Sequence, residues 1–325
     1  MILTVTLNTA LDITYRTSAL VPHTSHRVAE VVERPGGKGL NVARVLAALG
    51  HETVVTGFAG GRTGDVLREL LGGCGPMTPS GAGRRPKGAR YARPVDALLP
   101  ISGATRRTIA VVDEATGDTT QLNEPGPTVS AAEWTAFLSC YDRLVTGADA
   151  VALCGSLPPG VHVGAYAELI RRARGAGVPV LLDTSGEPLR RGVAARPDLV
   201  KPNAEELAVL TGSREPLVAA HDARRRGAHT VIASLGPDGI LAATPEGVWR
   251  AAPAAPVRGN PTGAGDSAVA GLLSGLVEHL PWPARLSRAV ALSTATVLAP
   301  VAGEFDPAVY EDLLPRVTVT ECPGA

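Results

Sequence analysis

Short runs of apolar residues alternate along the chain with longer segments in which apolar residues recur at helical spacing. The short runs predict buried strands and the long ones amphipathic helices, because side chains repeat every two residues in a strand and every 3.6 in a helix. The predicted strands are Ile2–Thr6, Thr53–Thr56, Ala150–Leu153, Val180–Leu182, Leu199–Val200 and Thr230–Ala233. The predicted helices are Leu40–Leu49, Thr63–Leu71, Ala131–Tyr141, Gly164–Arg174, Ala204–Leu210, Leu217–Arg226, Ala264–Glu278 and Ala284–Ala299. This alternation predicts an α/β fold with a mostly parallel central sheet between two layers of helices.

Two segments depart from this rhythm, Asp12–Arg34 and Arg90–Gln121. Apolar and polar residues alternate within them without a helical repeat, which predicts strands of a small second sheet lying over the main one as a lid. Its apolar positions exceed what a thin lid can cover, and exposed sheet surfaces tend to be paired or shielded. We therefore expect the chain to form a homodimer through the lid.

The segment Pro76–Pro94 is rich in glycine, proline, alanine and arginine and contains almost no large apolar residue. That composition cannot bury enough surface to fold by itself, so it predicts a loop insertion and not a boundary between domains. The whole chain, 1–325, is accordingly expected to form one domain.

Composition excludes several classes of protein. Lys and Arg total 31, as do Asp and Glu, so a net charge of zero predicts neither nucleic-acid nor membrane binding. The four cysteines are widely spaced without a CxxC pair, which argues against disulfides and zinc and is typical of the reducing cytosol. The N-terminus carries no basic segment, so we expect no signal peptide, and no apolar run approaches the roughly 18 residues of a membrane span.

The sharpest motif is the segment NPTGAGD, which ends at Asp266 and precedes a small apolar helix. Gly263 and Gly265, on either side of Ala264, allow a tight turn that aims successive N–H groups at one point, an arrangement that binds phosphate. A carboxylate inside such an anion site is electrostatically unfavourable, so its presence indicates a function. Removal of a proton from an attacking hydroxyl group is such a function. The alternative is that Asp266 only caps the helix.

Other nucleotide-binding motifs fit the chain poorly. Gly263, Gly265 and Ala268 match a dinucleotide fingerprint, but no acidic residue lies in Pro283–Leu292, where the ribose-binding carboxylate would stand. The pair Gly37-Lys38 is followed by glycine, not by the Ser or Thr of a Walker A loop, and no GxSxG hydrolase motif occurs.

A second glycine-rich turn, PGGKG, precedes a helix near the N-terminus. Gly37 lets a ligand approach the backbone, and Lys38 and Asn41 project from the first helical turn, where they could bind hydroxyl or phosphate groups. A plain turn with a solvated lysine is the alternative for this segment considered alone.

Together with five further segments, these two motifs resemble the ribokinase-like (PfkB) carbohydrate kinases along nearly the whole chain outside Pro76–Pro94. The further segments are Thr6–Asp12, Cys154–Gly160, Asp183–Gly186, Lys201–Leu207 and Ser234–Gly239. Within the family, the chain is most similar to the branch that contains 1-phosphofructokinase and tagatose-6-phosphate kinase.

The resemblance implies transfer of a phosphoryl group from ATP, with Mg²⁺, to a phosphorylated ketohexose, first of all fructose 1-phosphate to give fructose 1,6-bisphosphate. Tagatose 6-phosphate and fructose 6-phosphate are the next candidates, followed by an unphosphorylated sugar or a nucleoside. A catalytically silent sensor of sugar phosphates on the same fold is an alternative from another class.

The resemblance also implies roles for individual residues. Asp266 would be the catalytic base, and Gly263, Ala264 and Gly265 would form the anion hole. The sugar phosphate would be bound by Asp12, Gly37, Lys38, Asn41, Arg106 and Ser156. The nucleotide would be bound by Lys201, Asn203, Glu206, Ser234, Gly236 and Gly239, with Glu206 also placing Mg²⁺, unless that residue belongs merely to a solvated helix face.

Basic residues of the predicted lid support a phosphorylated substrate. Arg106 and Arg107 lie on one lid strand and Arg27 on another, and Lys38 lies beside the sugar turn, without an acidic partner close in sequence. Gathering such charges under a closing lid is costly unless an anion joins them.

Overall fold

The computed structural model describes residues 1–73, 93–299 and 303–322. The predicted insertion Pro76–Pro94 falls almost entirely outside them. The helices are α1 (Lys38–Ala48), α2 (Gly61–Gly73), α3 (Ala131–Val145), α4 (Ala165–Gly175), α5 (Gly186–Ala194), α6 (Ala204–Thr211), α7 (Pro216–Arg225), α8 (Ala264–Val277), α9 (Trp282–Leu298) and α10 (Pro307–Leu313). No helix in these ranges is both long and apolar enough to cross a membrane.

The strands form two sheets. Those of the large sheet are β1 (Ile2–Thr6), β4 (Thr53–Ala59), β5 (Val95–Pro100), β8 (Ala150–Cys154), β9 (Val180–Asp183), β10 (Leu199–Val200), β11 (Thr230–Ser234), β12 (Ile240–Ala243), β13 (Val248–Ala252) and β14 (Thr318–Glu321). Those of the small sheet are β2 (Ala10–Thr17), β3 (Glu30–Gly36), β6 (Arg106–Asp113) and β7 (Thr119–Asn123).

The large sheet has the order β14-β13-β12-β11-β10-β9-β8-β1-β4-β5, and it is parallel from β11 to β5. Its central strands are buried on both faces, as their unbroken apolar sequences predict. Successive residues of β1 contribute to two different hydrophobic clusters, Leu3 and Val5 to one and Ile2 to the other. The predicted α/β fold, with helices on both faces of a mostly parallel sheet, is confirmed.

The small sheet has the order β3-β2-β6-β7. The structure corrects two expectations about the lid. Val95–Pro100 lies within the second predicted lid segment but pairs in parallel with β4 at the edge of the large sheet, so only the residues from Arg106 onward belong to the lid. Arg27, expected on a lid strand, precedes β3 in an irregular segment.

The register of the small sheet separates two chemically different faces. Ala10 pairs with Arg106 and Asp12 with Thr108, whereas Ile13 pairs with Ile109 and Tyr15 with Val31. Paired residues point to the same face and successive residues to opposite faces. One face, here called the inner face, therefore carries Ala10, Asp12, Thr14, Arg106 and Thr108. The outer face carries Leu11, Ile13, Tyr15, Val31, Arg107, Ile109 and Leu122.

Candidate active site

The start of α8 presents unpaired helix N–H groups. Gly263 is the N-cap residue, with φ of 83°, and no side chain caps this helix among the described residues. A Cβ at Gly263 would lie 2.5 Å from the Cα of Gly303, so only glycine fits this left-handed turn. The N–H of Ala264 donates to the carbonyl of Pro261 over 3.1 Å, whereas that of Gly265 has no hydrogen-bond partner among the described residues and is available to an anion.

Asp266 lies in the first turn of α8 but does not cap it, because the N-cap position belongs to Gly263. Its carboxylate is 7% exposed, and its Oδ2 accepts a hydrogen bond of 2.8 Å from Nδ2 of Asn41. Burial, followed by the nearby charge of Asp183, raises the pKa of Asp266 to about 6, although Lys38, Asn41 and Lys201 oppose that rise. The group can thus hold or release a proton near neutral pH, as a base must.

Arg44 orients the amide that meets Asp266. Its Nη2 donates to Oδ1 of Asn41 over 2.8 Å, and its Nη1 donates to the carbonyl of Pro35 over 3.3 Å. With the amide oxygen occupied by a guanidinium, the amide nitrogen must face the carboxylate. Asn41, which we expected to bind sugar, is engaged with the candidate base in this structure.

Two lysines share one buried carboxylate. Nζ of Lys38 lies 3.3 Å from Oδ1 of Asp183, and Nζ of Lys201 lies 3.7 Å from the same atom. Oδ2 of Asp183 is buried without a hydrogen-bond partner among the described residues. Burial by itself would lower the pKa of Lys38, but Asp183, Asp266 and Glu206 together raise it above its ordinary value. Lys38 is therefore held charged next to Asp183, the last residue of β9.

Lys201 also lies beside the start of α8. A Cβ built on Gly265 would be 3.5 Å from its Nζ. The ammonium group and the free N–H groups of the helix thus converge on one place, where both would attract an anion.

Asp12 lies against the glycine-rich turn that precedes α1. A Cβ at Gly36 would lie 2.1 Å from its carboxyl carbon, so a side chain there would displace the carboxylate. Burial raises the pKa of Asp12, and Arg44, Arg106 and Thr108 partly offset that effect. A half-buried carboxylate on the inner face of the lid is suited to accept hydrogen bonds from ligand hydroxyl groups.

The two adjacent lid arginines have different surroundings. Nε of Arg106 donates to the carbonyl of Asn8 over 3.4 Å, and its Nη1 donates to that of Glu124 over 3.2 Å. Arg107, on the outer face, forms an ion pair with the carboxylate of Glu124, with Nη2 2.7 Å and Nε 3.0 Å from Oε1. Arg107 has no acidic partner close in sequence, but the fold brings Glu124, which follows β7, to it from 17 positions along the chain.

Ser156 and Asn8 lie together next to the lid. Nδ2 of Asn8 donates to Oγ of Ser156 over 3.0 Å and to the carbonyl of Pro125 over 3.2 Å. Oδ1 of Asn8 is buried and has no partner in the part of the chain that is described. Ser156 itself is exposed, as a residue that contacts a ligand would be.

Asn203 and Glu206 form a capping box at the start of α6. Oδ1 of Asn203 accepts from the backbone N–H of Glu206, and Oε2 of Glu206 accepts from that of Asn203, both over 2.8 Å. The other carboxylate oxygen of Glu206 takes no part in the capping box. The negative charge of Glu206 contributes to the raised pKa of Lys38. Ser234 is bridged to Asn203 by strand pairing at the end of β11.

Gly37, Gly236 and Gly239 occupy turns with positive φ, of 110°, 62° and 84°. Gly37 is the N-cap residue of α1, and the other two bound a short turn that connects β11 to β12. Most predicted site residues thus lie at strand ends or in first helical turns, whereas Asp12 and Arg106 lie on strands of the small sheet. The structure links most of them by hydrogen bonds, ion pairs or charge interactions.

Sequence reasoning assigned no role to Asp183, Arg44 or Asn8. Asp183 gave a signal, since it is a carboxylate at the end of the fully buried strand Val180–Asp183, where charge is costly without partners. Asn8 gave none, because its partners come from distant parts of the chain. Arg44 gave none, because its importance depends on the distant contact between its neighbour Asn41 and Asp266.

A buried carboxylate beside an uncapped helix start, with lysines at the carboxyl edge of a parallel sheet and a small lid, defines an enzyme that transfers a phosphoryl group. The family model described as pfkB family carbohydrate kinase matches residues 5–75 and 95–308. The chain belongs to this family and is a sugar-phosphate kinase, for which ATP is the phosphate donor. The match leaves out 76–94, the segment that we expected to be an insertion.

Solved structures of similar proteins agree with this assignment. Phosphofructokinase-2 from Escherichia coli in complex with fructose-6-phosphate is 29% identical with a TM-score of 0.82, covering 97% of this chain and 98% of that one. The tetrameric inhibited form of the same enzyme is 28% identical with a TM-score of 0.83 and the same coverage. A possible 1-phosphofructokinase from Thermotoga maritima is 26% identical with a TM-score of 0.82, covering 99% of both chains.

Asn41→Leu should raise the pKa of Asp266 further above its value of about 6. The amide of Asn41 donates to the carboxylate and favours its charged form. Loss of the amide should therefore raise the pKa of Asp266 by about one unit, which corresponds to the free energy of an ordinary hydrogen bond. Titration of the Asp266 carboxyl carbon by NMR measures this shift. Asn123→Leu, an exposed lid substitution, is the control, and an unchanged pKa in Asn41→Leu would show that the hydrogen bond does not act on the carboxyl group.

Proposed function

We propose that this kinase transfers the γ-phosphoryl group of ATP to a hydroxyl of a phosphorylated ketohexose, with fructose 1-phosphate as first substrate and fructose 1,6-bisphosphate as product. The observation that carries the proposal is the buried carboxylate of Asp266 beside the free N–H groups that follow Gly263. A base and an anion hole at one helix start are what in-line transfer to a hydroxyl requires.

In the proposed mechanism Asp266 accepts the proton of the attacking hydroxyl. Asn41 holds the carboxylate in place through its amide, and Asp12 orients the sugar by accepting hydrogen bonds from other hydroxyl groups. The turn of Gly263, Ala264 and Gly265, in which the N–H of Gly265 is free, and the ammonium of Lys201 stabilise negative charge on the phosphoryl group in transfer. Closure of the lid excludes water, which would otherwise accept the phosphoryl group.

Asn203, Ser234, Gly236 and Gly239 would border the nucleotide, since they follow β10 and β11 at the same edge of the sheet. Among the described residues no cluster of three His, Cys, Asp or Glu side chains could hold a metal by itself. Mg²⁺ commonly needs only one or two carboxylates besides phosphate oxygens and water. The oxygen of Glu206 outside the capping box fits that need, and the bound ion would neutralise charge on the phosphates.

The inner face of the lid supports a substrate that already carries a phosphate. Only two N–H groups of Arg106 are used by backbone carbonyls, out of five on a guanidinium. Arg106 shares that face with Asp12, so a phosphate and a hydroxyl of one sugar could meet both. Fructose 6-phosphate is the alternative to fructose 1-phosphate as substrate, because the similar enzyme from Escherichia coli was solved in complex with it. Tagatose 6-phosphate is a further alternative.

We also propose that two copies associate through the outer face of the lid. Val31 and Leu122 lie on this face and are 56% and 57% exposed, which is unusual for large apolar side chains gathered on one sheet. A cytosolic location belongs to the same proposal and rests on the widely spaced cysteines.

Asp266→Asn should lower turnover by roughly 10² to 10⁴, the usual contribution of a positioned base, while binding of ATP and of sugar phosphate stays nearly unchanged. Steady-state kinetics and calorimetric titration with each substrate measure the two effects. Asp65→Asn, on the exposed side of α2, should retain full activity. If Asp266→Asn keeps more than about a tenth of turnover, Asp266 is not the base.

Arg106→Ala should raise KM for the sugar phosphate roughly ten- to a hundredfold, the worth of one charge-assisted hydrogen bond, and leave KM for ATP unchanged. Arg107→Ala is a matched control, because Arg107 points to the outer face and is paired with Glu124. ATP turnover is measured with fructose 1-phosphate, fructose 6-phosphate, tagatose 6-phosphate, fructose, ribose and adenosine.

The substrate panel separates the alternatives. If an unphosphorylated sugar or adenosine is turned over as well as every hexose phosphate, the phosphate-binding role of Arg106 is wrong. Binding of sugar phosphates without turnover of any compound would instead favour the silent sensor.

Leu122→Glu should shift the protein from dimer to monomer, because a buried unpaired charge would be placed in the apolar contact of the outer lid face. Light scattering at micromolar concentration measures the mass. Val209→Glu is the control, since Val209 is 76% exposed on α6, outside the lid. A wild-type protein that is monomeric under these conditions contradicts the proposed interface.

A further inference from the structure

A cleft of about 750 Å³ opens at the amino ends of the strands of the large sheet, whereas the candidate active site lies at their carboxyl ends. It is bordered by the helix ends and loops that lead into β9, β10 and β11, and its lining includes Arg174, Arg196, Arg224 and Arg225. The site residues Asp183, Lys201 and Ser234 stand at the other ends of these same three strands. The cleft is therefore separate from the site described above, although the two-residue strand β10 places its near wall only about 10 Å from Lys201.

The charges around the cleft are poorly balanced. One acidic residue, Asp198, contributes to the lining, and its Oδ2 accepts a hydrogen bond of 2.8 Å from the backbone N–H of Val180. Arg225 is paired with Asp222 outside the lining at 2.9 Å. The three other arginines have no carboxylate within 4.0 Å among the residues described.

Most hydrogen-bonding capacity of these arginines is unused. Arg174 donates one bond to the carbonyl of Ala195 and Arg224 one to that of His229, out of five N–H groups on each guanidinium. His221 also lines the cleft, and its Nε2 is buried without a partner in the described part of the chain.

Stabilisation of helix ends does not account for the whole cluster. Arg174 and Arg224 lie in the last turns of α4 and α7, where a cation interacts favourably with the helix dipole. Arg196 lies beyond the end of α5, and its φ of 62° is a left-handed conformation that is unfavourable for a residue with a side chain. Arg196 lines the cleft, and its guanidinium has no hydrogen-bond or ion-pair partner among the described residues, so its charge is available to a ligand.

We infer that this cleft binds a small anionic ligand that carries at least two phosphate groups. Guanidinium groups suit phosphate oxygens, and several of them from separate elements are costly to gather without an anion. The cleft volume lies within the range of small-molecule sites, roughly 300 to 1,000 Å³. Because the net charge of the whole chain is zero, we interpret the arginine cluster as a local anion site and not as part of a nucleic-acid-binding surface.

The test is calorimetric titration of the full chain with inorganic tripolyphosphate. The double variant R196Q/R224Q should bind it at least tenfold more weakly than the wild type. The control R190Q/R316Q loses the same charge from arginines paired with Glu187 and Asp312 outside the cleft, and should match the wild type. Orthophosphate should bind the wild-type cleft at least tenfold more weakly than tripolyphosphate.

Hydrogen exchange locates the binding. Tripolyphosphate should slow exchange of the backbone amides at 227–230 in the wild type but not in R196Q/R224Q. Equal tripolyphosphate affinity in the two proteins, or protection confined to the start of α8, would overturn the inference. Equal affinity for orthophosphate and tripolyphosphate would overturn the requirement for more than one phosphate group.

Discussion

Two carboxylates are buried close together where the central strands end, and the rest of the site is arranged around their charge. Asp183 is 1% exposed and Asp266 is 7% exposed, and the charge of Asp183 adds to the cost of ionising Asp266. Lys38 and Lys201 offset that cost by approaching Asp183 from α1 and from the end of β10. Removal of either lysine would leave uncompensated buried charge, which is among the most destabilising changes in a protein interior. The constraint ties β9, β10, α1 and α8 to one geometry.

The same charge balance prepares the site for an anion. The ammonium of Lys201 faces the start of α8, where Gly263 keeps the helix uncapped. A bound phosphate therefore meets positive potential from both the side chain and the helix N–H groups. The raised pKa of Asp266, about 6, follows from burial and keeps its proton affinity high enough for a base.

The small sheet has two chemically different faces because of its strand register. The pairing of Asp12 with Thr108 places polar groups on the inner face, and the pairing of Ile13 with Ile109 places apolar groups on the outer face. A shift of one residue would exchange the two faces. The proposed substrate contacts and the proposed association thus depend on one hydrogen-bonding register, and Arg106 and Arg107 acquire different surroundings for that reason.

Sequence reasoning predicted the central elements well and the edges poorly. Continuous apolar runs such as Ala150–Cys154 are buried on both faces, and all predicted helices and strands of the large sheet are present with ends within four residues. β12, β13 and β14 were missed because short alanine-rich or polar segments at a sheet edge resemble loops or helices. β5 was assigned to the lid because alternation along a strand does not reveal which sheet it joins.

The sequence by itself determined the fold class, the glycine-rich turns and the chemical types gathered for the site, because these follow from local periodicity and from backbone freedom. It also carried the family resemblance that the family match confirmed. Only the tertiary structure decided which groups meet. Asn41 and Asp266 are 225 residues apart and form a hydrogen bond of 2.8 Å, Glu124 neutralises Arg107, and Asp183 lies between two lysines. Such contacts arise from the packing of distant elements and the pairing of strands, and no pattern within a single segment encodes them.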